Sequence, residues 1–151
     1  MVTPAQIYDF VDRMVTKFHP EQVIVFGSYA YGVPSADSDV DLLVVRRHVG
    51  AGHELSTTIR MAVPRNFSMD LLVHSRTEIA KRIRMGDVFF SEIMTKGIVI
   101  YAAIDERVGK EGRERLQSRV VPSKVARCIP ARSDLLPRAT VRRKVSQSAS
   151  H

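Results

Sequence analysis

Two short apolar segments lie close together near the start of the chain, and a pair of carboxylates stands at the beginning of the second. The first segment, QVIVF, is followed by Gly27, and the second, DVDLLVV, begins with Asp39 and Asp41. Runs of β-branched residues bounded by glycine, serine and proline are typical of buried strands. Because residues two apart on a strand project to the same side, about 7 Å apart, the pattern predicts two carboxylates that face one way.

Two ionised carboxylates at this distance repel each other, and burying either one unpaired is costly, so the pattern favours a bound cation. Carboxylate oxygens are the ligands that Mg²⁺ prefers. In the later segment NFSMDLLV, apolar residues alternate with polar ones, which predicts a third strand with Asp70 on the face opposite its apolar side chains. Three carboxylates suffice for two ions roughly 3.5–4 Å apart, the arrangement used for in-line displacement at phosphorus.

The turn FGSYAYG, which follows the first strand, has the features of a phosphate site. Gly27 allows the backbone to approach a ligand closely, and Ser28 offers a hydroxyl and an N–H at the start of a short helix. Phosphates at this turn and metal ions between it and the acids would form one active centre. The same residues would also suit an Asx-rich loop with solvated acids, so neither feature is specific by itself.

The remaining periodicity predicts a small sheet covered by helices. Thr3, Pro4 and Gln6 form a capping box for a first helix, which His19 and Pro20 end. Further helices are expected over 52–63, 75–85 and 87–97, the last with Phe89, Ile93 and Met94 inside, and a fourth strand over 98–102. The fold class is therefore α+β, or α/β layered, with a short mixed β-sheet flanked by helices.

Length and composition indicate a globular protein with one main domain. A chain of 151 residues, 44% hydrophobic and 26% charged, can bury a core without disulfides. No segment has the basic and apolar pattern of a secretory signal or the length of a membrane span, so a cytoplasmic location and no membrane partner are expected. The single cysteine, Cys128, excludes an internal disulfide and a cysteine-based zinc site.

The net charge of +7 lies entirely in the last third of the chain. Residues 1–104 hold 11 Lys/Arg and 11 Asp/Glu, whereas residues 105–151 hold 12 and 5. We therefore expect a domain over 3–103, an extra helix over 104–120 and a basic, flexible tail over 121–151 that can bind nucleic acid. Gly109 and Gly112 weaken the extra helix, so we expect it to add little to the core.

The chain resembles a known family in one spaced motif, which consists of Gly27-Ser28, the ten residues that follow, Asp39-Val40-Asp41 and Asp70. It resembles the polymerase-β-type nucleotidyltransferases, in particular the minimal nucleotidyltransferases of prokaryotes, and the resemblance covers roughly residues 3–102. It implies a polymerase-β-like nucleotidyltransferase fold and transfer of a nucleoside monophosphate from a triphosphate, commonly ATP, with two Mg²⁺ ions.

The resemblance also implies roles and a partner. Gly27 and Ser28 would hold the triphosphate, Asp39 and Asp41 would ligate both ions, and Asp70 would ligate the catalytic ion and help deprotonate the attacking hydroxyl. Small members of the family often act as antitoxins that attach AMP to a tyrosine of a HEPN-type toxin, and we expect this role here. The alternatives are an aminoglycoside-type, small-molecule nucleotidyltransferase and a non-catalytic protein that binds a partner or nucleic acid.

One departure from the family concerns the charge at the turn. Family members often carry basic residues between the serine and the following glycine, whereas this chain has Tyr29 and Tyr31, which we interpret as packed turn residues with solvated hydroxyls. Other residues with reactive or aromatic side chains are expected at the surface, at a strand end or in the core rather than in catalysis: His48, His53, His74, Arg46, Arg47, Phe89 and Phe90.

Overall fold

The computed structural model describes residues 1–47 and 52–120, and within them it has four strands and five α-helices. The strands are β1 (Gln22–Phe26), β2 (Val40–Arg46), β3 (Met69–Ser75) and β4 (Ile98–Ala102). The helices are α1 (Pro4–Phe18), α2 (Gly52–Ala62), α3 (Arg76–Arg84), α4 (Val88–Lys96) and α5 (Glu106–Val120), and a 3₁₀ turn, Gly27–Tyr29, follows β1. His48, Cys128 and the tail predicted over 121–151 lie outside the described residues.

The four strands form one mixed sheet in the order β3-β2-β1-β4. Strand β1 pairs antiparallel with β2 and with β4, whereas β2 and β3 are parallel. Parallel neighbours need a long crossover, which α2 provides between β2 and β3. This architecture confirms the predicted fold class, a short mixed sheet flanked by helices.

Each face of the sheet has its own hydrophobic cluster, so the helices form two layers. The first face packs against α1, α2 and α5, and its cluster includes Phe10, Val25, Leu42, Ile59 and Leu116. The second face packs against α3 and α4, and its cluster is Ile24, Phe26, Leu43, Val45, Ile79, Phe90 and Ile93. Alternation along the strands assigns every side chain to one face or the other.

The predicted helix ends agree closely with the structure because they depend on local hydrogen bonds. Thr3 and Gln6 form the capping box of α1, and His19 ends that helix with a left-handed φ of 48°. Ser75 and Glu78 form a second capping box at α3, and Asp87 caps α4. No helix among the described residues is long and apolar enough to cross a membrane.

Two strand starts and two buried positions were predicted wrongly. Strand β2 begins at Val40 rather than Asp39, and β3 begins at Met69 rather than Asn66, because the parallel register pairs Val40 with Met69. In α4 the buried residues are Phe90 and Ile93, whereas the side chains of Phe89 and Met94 are 49% and 44% exposed. The helix turns Phe90, not Phe89, toward the sheet.

Helix α5 packs tightly against β4, so the expectation that residues 104–120 add little to the core is wrong. Gly109 and Gly112 are buried at the contact, and a Cβ on Gly112 would lie 1.7 Å from the carbonyl oxygen of Val99. Leu116 is fully buried, although Ile104 stays exposed. The two glycines let the helix backbone approach the strand, which a helix-propensity argument does not reveal.

Candidate active site

Two of the predicted carboxylates lie side by side on neighbouring strands. Asp41 on β2 is in register with Asp70 on β3, and paired strands lie about 4.8 Å apart. Both alternate with residues of the first-face cluster, such as Leu42 and Leu71, so both project from the second face. The predicted position of Asp70 opposite its apolar neighbours is confirmed.

The third predicted carboxylate lies just outside the sheet. Asp39 is exposed and directly precedes β2. The pKa of Asp41 is raised, first by burial and then by the negative charges of Asp70 and Asp39. The three acids therefore share one electrostatic environment, in which the ionised form of Asp41 is disfavoured unless a cation is close.

Gly27 holds the phosphate-site turn against Asp41. Its φ is +66°, and a Cβ at this position would lie 2.1 Å from Oδ2 of Asp41, so a larger residue would displace the carboxylate. The Gly27 carbonyl oxygen accepts hydrogen bonds from the N–H groups of Ala30, Tyr31 and Gly32 at 3.0–3.3 Å, which closes the turn. Ser28, which follows Gly27, is half-buried, and its role as a phosphate contact stays a prediction.

The two tyrosines of the turn have separate roles. Tyr29 is fully buried, and its hydroxyl accepts a hydrogen bond of 3.0 Å from the Val2 N–H, so the prediction of a solvated hydroxyl is wrong for this residue. Tyr31 is half-buried, and the Lys96 Nζ lies 5.8 Å from the centroid of its ring. Tyr29 thus attaches the turn to the N-terminal segment.

Asp70 has a cationic neighbour that the sequence did not indicate. Arg60 on α2 places Nη2 3.6 Å from Oδ1 of Asp70, and its buried Nε has no hydrogen-bond partner within residues 1–47 and 52–120. The pair crosses from the helix to the strand, and nothing in the α2 sequence pattern points to it. Arg60 therefore places a positive charge beside Asp70.

An aromatic side chain stands next to the acids. Phe89 lies edge-on to Phe26 with 5.8 Å between ring centroids, and Phe26 is the strand partner of Asp41. The expectation that Phe89 belongs to the core is wrong, since half of it is exposed, whereas Phe90 is buried as expected. The sheet therefore presents an accessible aromatic ring close to its carboxylates.

His74 lies half-buried within β3, so the expectation of a surface or loop position is wrong for it, whereas His53 and Arg47 are exposed as expected. His74 packs edge-on to Phe90, and burial lowers its pKa, with Glu78 3.6 Å away. His53 is exposed on α2. Arg47 lies 3.8 Å from Glu21 at the end of β2.

The donor chemistry of the three aspartates suits a hard divalent cation. Burial first, and then the negative charges of Asp70 and Asp39, raise the pKa of Asp41, and a bound cation would favour its ionised form. Within residues 1–47 and 52–120, no three acidic, histidine or cysteine side chains lie close enough together to hold a metal ion. The assignment of Asp39, Asp41 and Asp70 as metal ligands, and of Gly27 and Ser28 as phosphate-binding residues, stays a prediction.

Comparisons with known proteins agree with this reading of the fold and motif. Residues 7–64 match the family model described as nucleotidyltransferase domain. A crystal structure of a Sulfolobus solfataricus protein, named as a nucleotidyltransferase, superposes with a TM-score of 0.51 and 17% identity, over 68% of this chain and 83% of that one. Curated proteins gave no match. Residues 7–64 therefore match a nucleotidyltransferase domain model, and the fold of the chain resembles that of the solved structure.

Proposed function

We propose that the protein is a Mg²⁺-dependent nucleotidyltransferase that moves AMP from ATP onto a hydroxyl, and that this hydroxyl belongs to a tyrosine of a HEPN-type toxin. The observation that carries the proposal is the register of Asp41 with Asp70, with the Asp41 carboxylate lying against Gly27. This geometry puts paired acids directly beside the turn that would bind phosphate. The antitoxin role follows from the resemblance to minimal nucleotidyltransferases.

The reaction is a displacement at the α-phosphorus. The acceptor oxygen forms a bond to that phosphorus, the bond to the oxygen bridging to the β-phosphate breaks, and pyrophosphate leaves. The proton of the hydroxyl passes toward Asp70, whose carboxylate lies 3.6 Å from the Arg60 guanidinium. Mg²⁺, when bound, would neutralise charge on the phosphates.

The residues of the site divide this work between them. N–H groups of the turn at Gly27 and Ser28 would orient the triphosphate, since backbone amides bind anions well. Asp39 and Asp41 would hold the ions, which would offset the cost of an ionised Asp41 that burial and the charges of Asp70 and Asp39 already impose. Removing Asp41 should therefore abolish transfer and the response to Mg²⁺ together.

A protein acceptor suits the openness of the site. The side chain of Asp70 is 68% exposed, and Asp39 is exposed as well. A tyrosine on the surface of a partner could therefore reach the acids, and a folded partner would bring its own contact area. A gene neighbour encoding a small all-helical protein with an Arg-x₄-His pattern would supply the candidate toxin.

Transfer is tested directly by incubating the protein with α-labelled ATP, Mg²⁺ and that candidate toxin. We expect label on the toxin, none on a toxin whose acceptor tyrosine is replaced by phenylalanine, and none with the Asp41→Asn enzyme. Wild-type protein that leaves the toxin unlabelled would count against the proposal.

A small-molecule acceptor is the second candidate, and one feature favours it. A groove of about 430 Å³ runs beside Asp39 and is lined by Met1, Val2, Gln6, Ala36, Asp37, Ser38, Asn66, Phe67 and Ser68. Its size suits a small hydroxyl compound. Label that appears on an aminoglycoside but not on the toxin would select this alternative, and label on neither would favour a binding role without catalysis.

A further inference from the structure

The phosphate-site turn carries no positive charge of its own. Between Gly27 and Val45 the sequence has three aspartates and no lysine or arginine. A triphosphate is a polyanion, and proteins bind such groups with arginine or lysine side chains as well as backbone N–H groups. A site built from this segment alone would therefore repel the phosphates, and any basic side chain that adds to the charge of bound Mg²⁺ must come from another element.

Helix α5 brings an arginine to this turn. Nη2 of Arg119 donates a hydrogen bond of 2.8 Å to the carbonyl oxygen of Gly32, although the two residues are 87 positions apart. Gly32 in turn lies close to Ser28, since a Cβ on Gly32 would be 2.8 Å from the Ser28 Cα. The guanidinium therefore lies at the turn that would hold the phosphates.

Packing positions the helix that carries Arg119, whereas the Arg119 side chain itself is exposed. Leu116, one turn earlier, is fully buried, and Arg113 donates to the Ile100 carbonyl oxygen at 3.1 Å and pairs with Asp12. A guanidinium carries five N–H groups, of which the bond to Gly32 uses one and phosphate recognition typically uses two. Arg119 can thus keep its contact with the turn and still bind an anion.

We infer that Arg119 supplies the positive charge for the triphosphate at the Gly27–Gly32 turn, so that α5 is part of the nucleotide site. This inference rests on the proposed function. Helix α5 would then supply the positive charge that Tyr29 and Tyr31 do not provide.

Lys96 is the other cation near the turn, and its surroundings differ. Its Nζ lies over the ring of Tyr31 but is hydrogen-bonded to Glu92 at 2.9 Å, which offsets its charge. The Arg119 guanidinium instead contacts a neutral carbonyl of the turn. Arg119 is therefore the residue whose charge a phosphate would meet.

The test is calorimetric titration of the full chain with Mg²⁺ and ATP. In Arg119→Gln the side chain keeps a neutral amide donor while the charge is lost, and we expect ATP to bind about 10-fold more weakly, the effect of one charged hydrogen bond. Arg119→Lys should restore part of the affinity, because it keeps the charge but not the paired N–H groups of the guanidinium. Arg107→Gln is the matched control, because Arg107 lies on the first turn of the same helix, roughly 18 Å away along its axis.

Two results would overturn the inference: Arg119→Gln binding ATP as tightly as the wild type, or Arg107→Gln losing as much affinity as Arg119→Gln. Asp41→Asn separates this failure from failure of the proposed function. If Asp41→Asn loses the Mg²⁺-dependent part of ATP binding while Arg119→Gln keeps full affinity, the proposed nucleotidyltransferase site is supported and the role of Arg119 is excluded. If the wild type itself binds no ATP, both fall.

Discussion

Asp41 lies at a position where its ionised carboxylate is unfavourable for the folded state. It is half-buried between two other acids, and its pKa is raised by burial first and by Asp70 and Asp39 after that. Nothing in the packing requires the charge, because its strand neighbours Val40 and Leu42 form the core without it. A half-buried acid that costs stability and has like charges beside it is a candidate for a functional site.

Replacing Asp41 with asparagine should stabilise the protein in the absence of metal. A pKa raised on folding means that the ionised carboxylate is disfavoured in the folded state, so its removal at neutral pH relieves repulsion. We expect a gain of up to about 1 kcal/mol in the free energy of unfolding, a size typical of screened charge pairs. Urea unfolding of both proteins in EDTA measures it, and a clear loss of stability would contradict the account.

The pH dependence of that difference has a definite sign. Asp41 binds its proton more tightly in the folded state, so the wild type loses stability as the pH rises from 3.8 through the higher folded pKa. Above that window the asparagine variant should be the more stable of the two, and the advantage should vanish toward low pH, where Asp41 is protonated in both states. Unfolding curves at several pH values check the trend.

At the scale of elements, local signals were readable from the sequence and tertiary ones were not. The capping boxes at Thr3 and Ser75 were predicted because a cap is a contact between residues three apart. The strand starts at Val40 and Met69 were missed by one and three residues, because pairing between strands sets them. The Arg60–Asp70 pair and the exposure of Phe89 depend on how elements pack, which a linear pattern does not contain.

The glycines of α5 are also explained by tertiary packing that the sequence pattern does not show, and they lead to a further prediction. Helix propensity alone says that Gly112→Ala should stabilise α5 by about 1 kcal/mol. The structure predicts the reverse, since the new Cβ would lie 1.7 Å from the backbone oxygen of Val99, and overpacking of this kind typically costs about 1–3 kcal/mol.

Guanidinium unfolding of Gly112→Ala measures this effect, with Glu111→Ala as the control for helix propensity because Glu111 is exposed on the same helix. We expect the midpoint to fall for the first variant and to stay almost unchanged for the second. Stabilisation by Gly112→Ala would mean that α5 does not rest on β4 as described.

For the whole molecule, the structure moves the expected boundary of the folded unit. Residues 7–64 match the nucleotidyltransferase domain, but Asp70 and α5 lie beyond that segment. The sequence supported a unit ending near Ala103, because residues 105–151 carry all the excess charge and few apolar residues. Leu116 and the buried glycines place α5 inside the core, so the helix belongs to the folded domain.

Shortened chains test this boundary. A chain ending at Val120 should keep the stability of the full protein within about 0.5 kcal/mol, whereas a chain ending at Ala103 should lose about 3 kcal/mol or more, since it leaves the site of Leu116 empty. Thermal unfolding of the three proteins decides between them. Equal melting temperatures for all three would show that the domain ends before α5.

The segment 121–151 holds seven Lys/Arg and one Asp, so it is the part of the chain expected to bind nucleic acid. We expect the chain ending at Val120 to bind an unrelated duplex more weakly than the full chain and with a smaller dependence on salt. Fluorescence anisotropy at several salt concentrations measures both. Unchanged binding would place the nucleic-acid contact on the folded domain instead.

The central claim is that Asp39, Asp41 and Asp70 form, with the turn at Gly27, a Mg²⁺-dependent site for a nucleoside triphosphate. The most direct measurement is calorimetric titration of ATP into the wild type and into the Asp39→Asn/Asp41→Asn variant, each with Mg²⁺ and with EDTA. The account predicts that Mg²⁺ tightens ATP binding to the wild type and leaves binding to the variant unchanged. Equal ATP affinity in both proteins, with and without Mg²⁺, would contradict it.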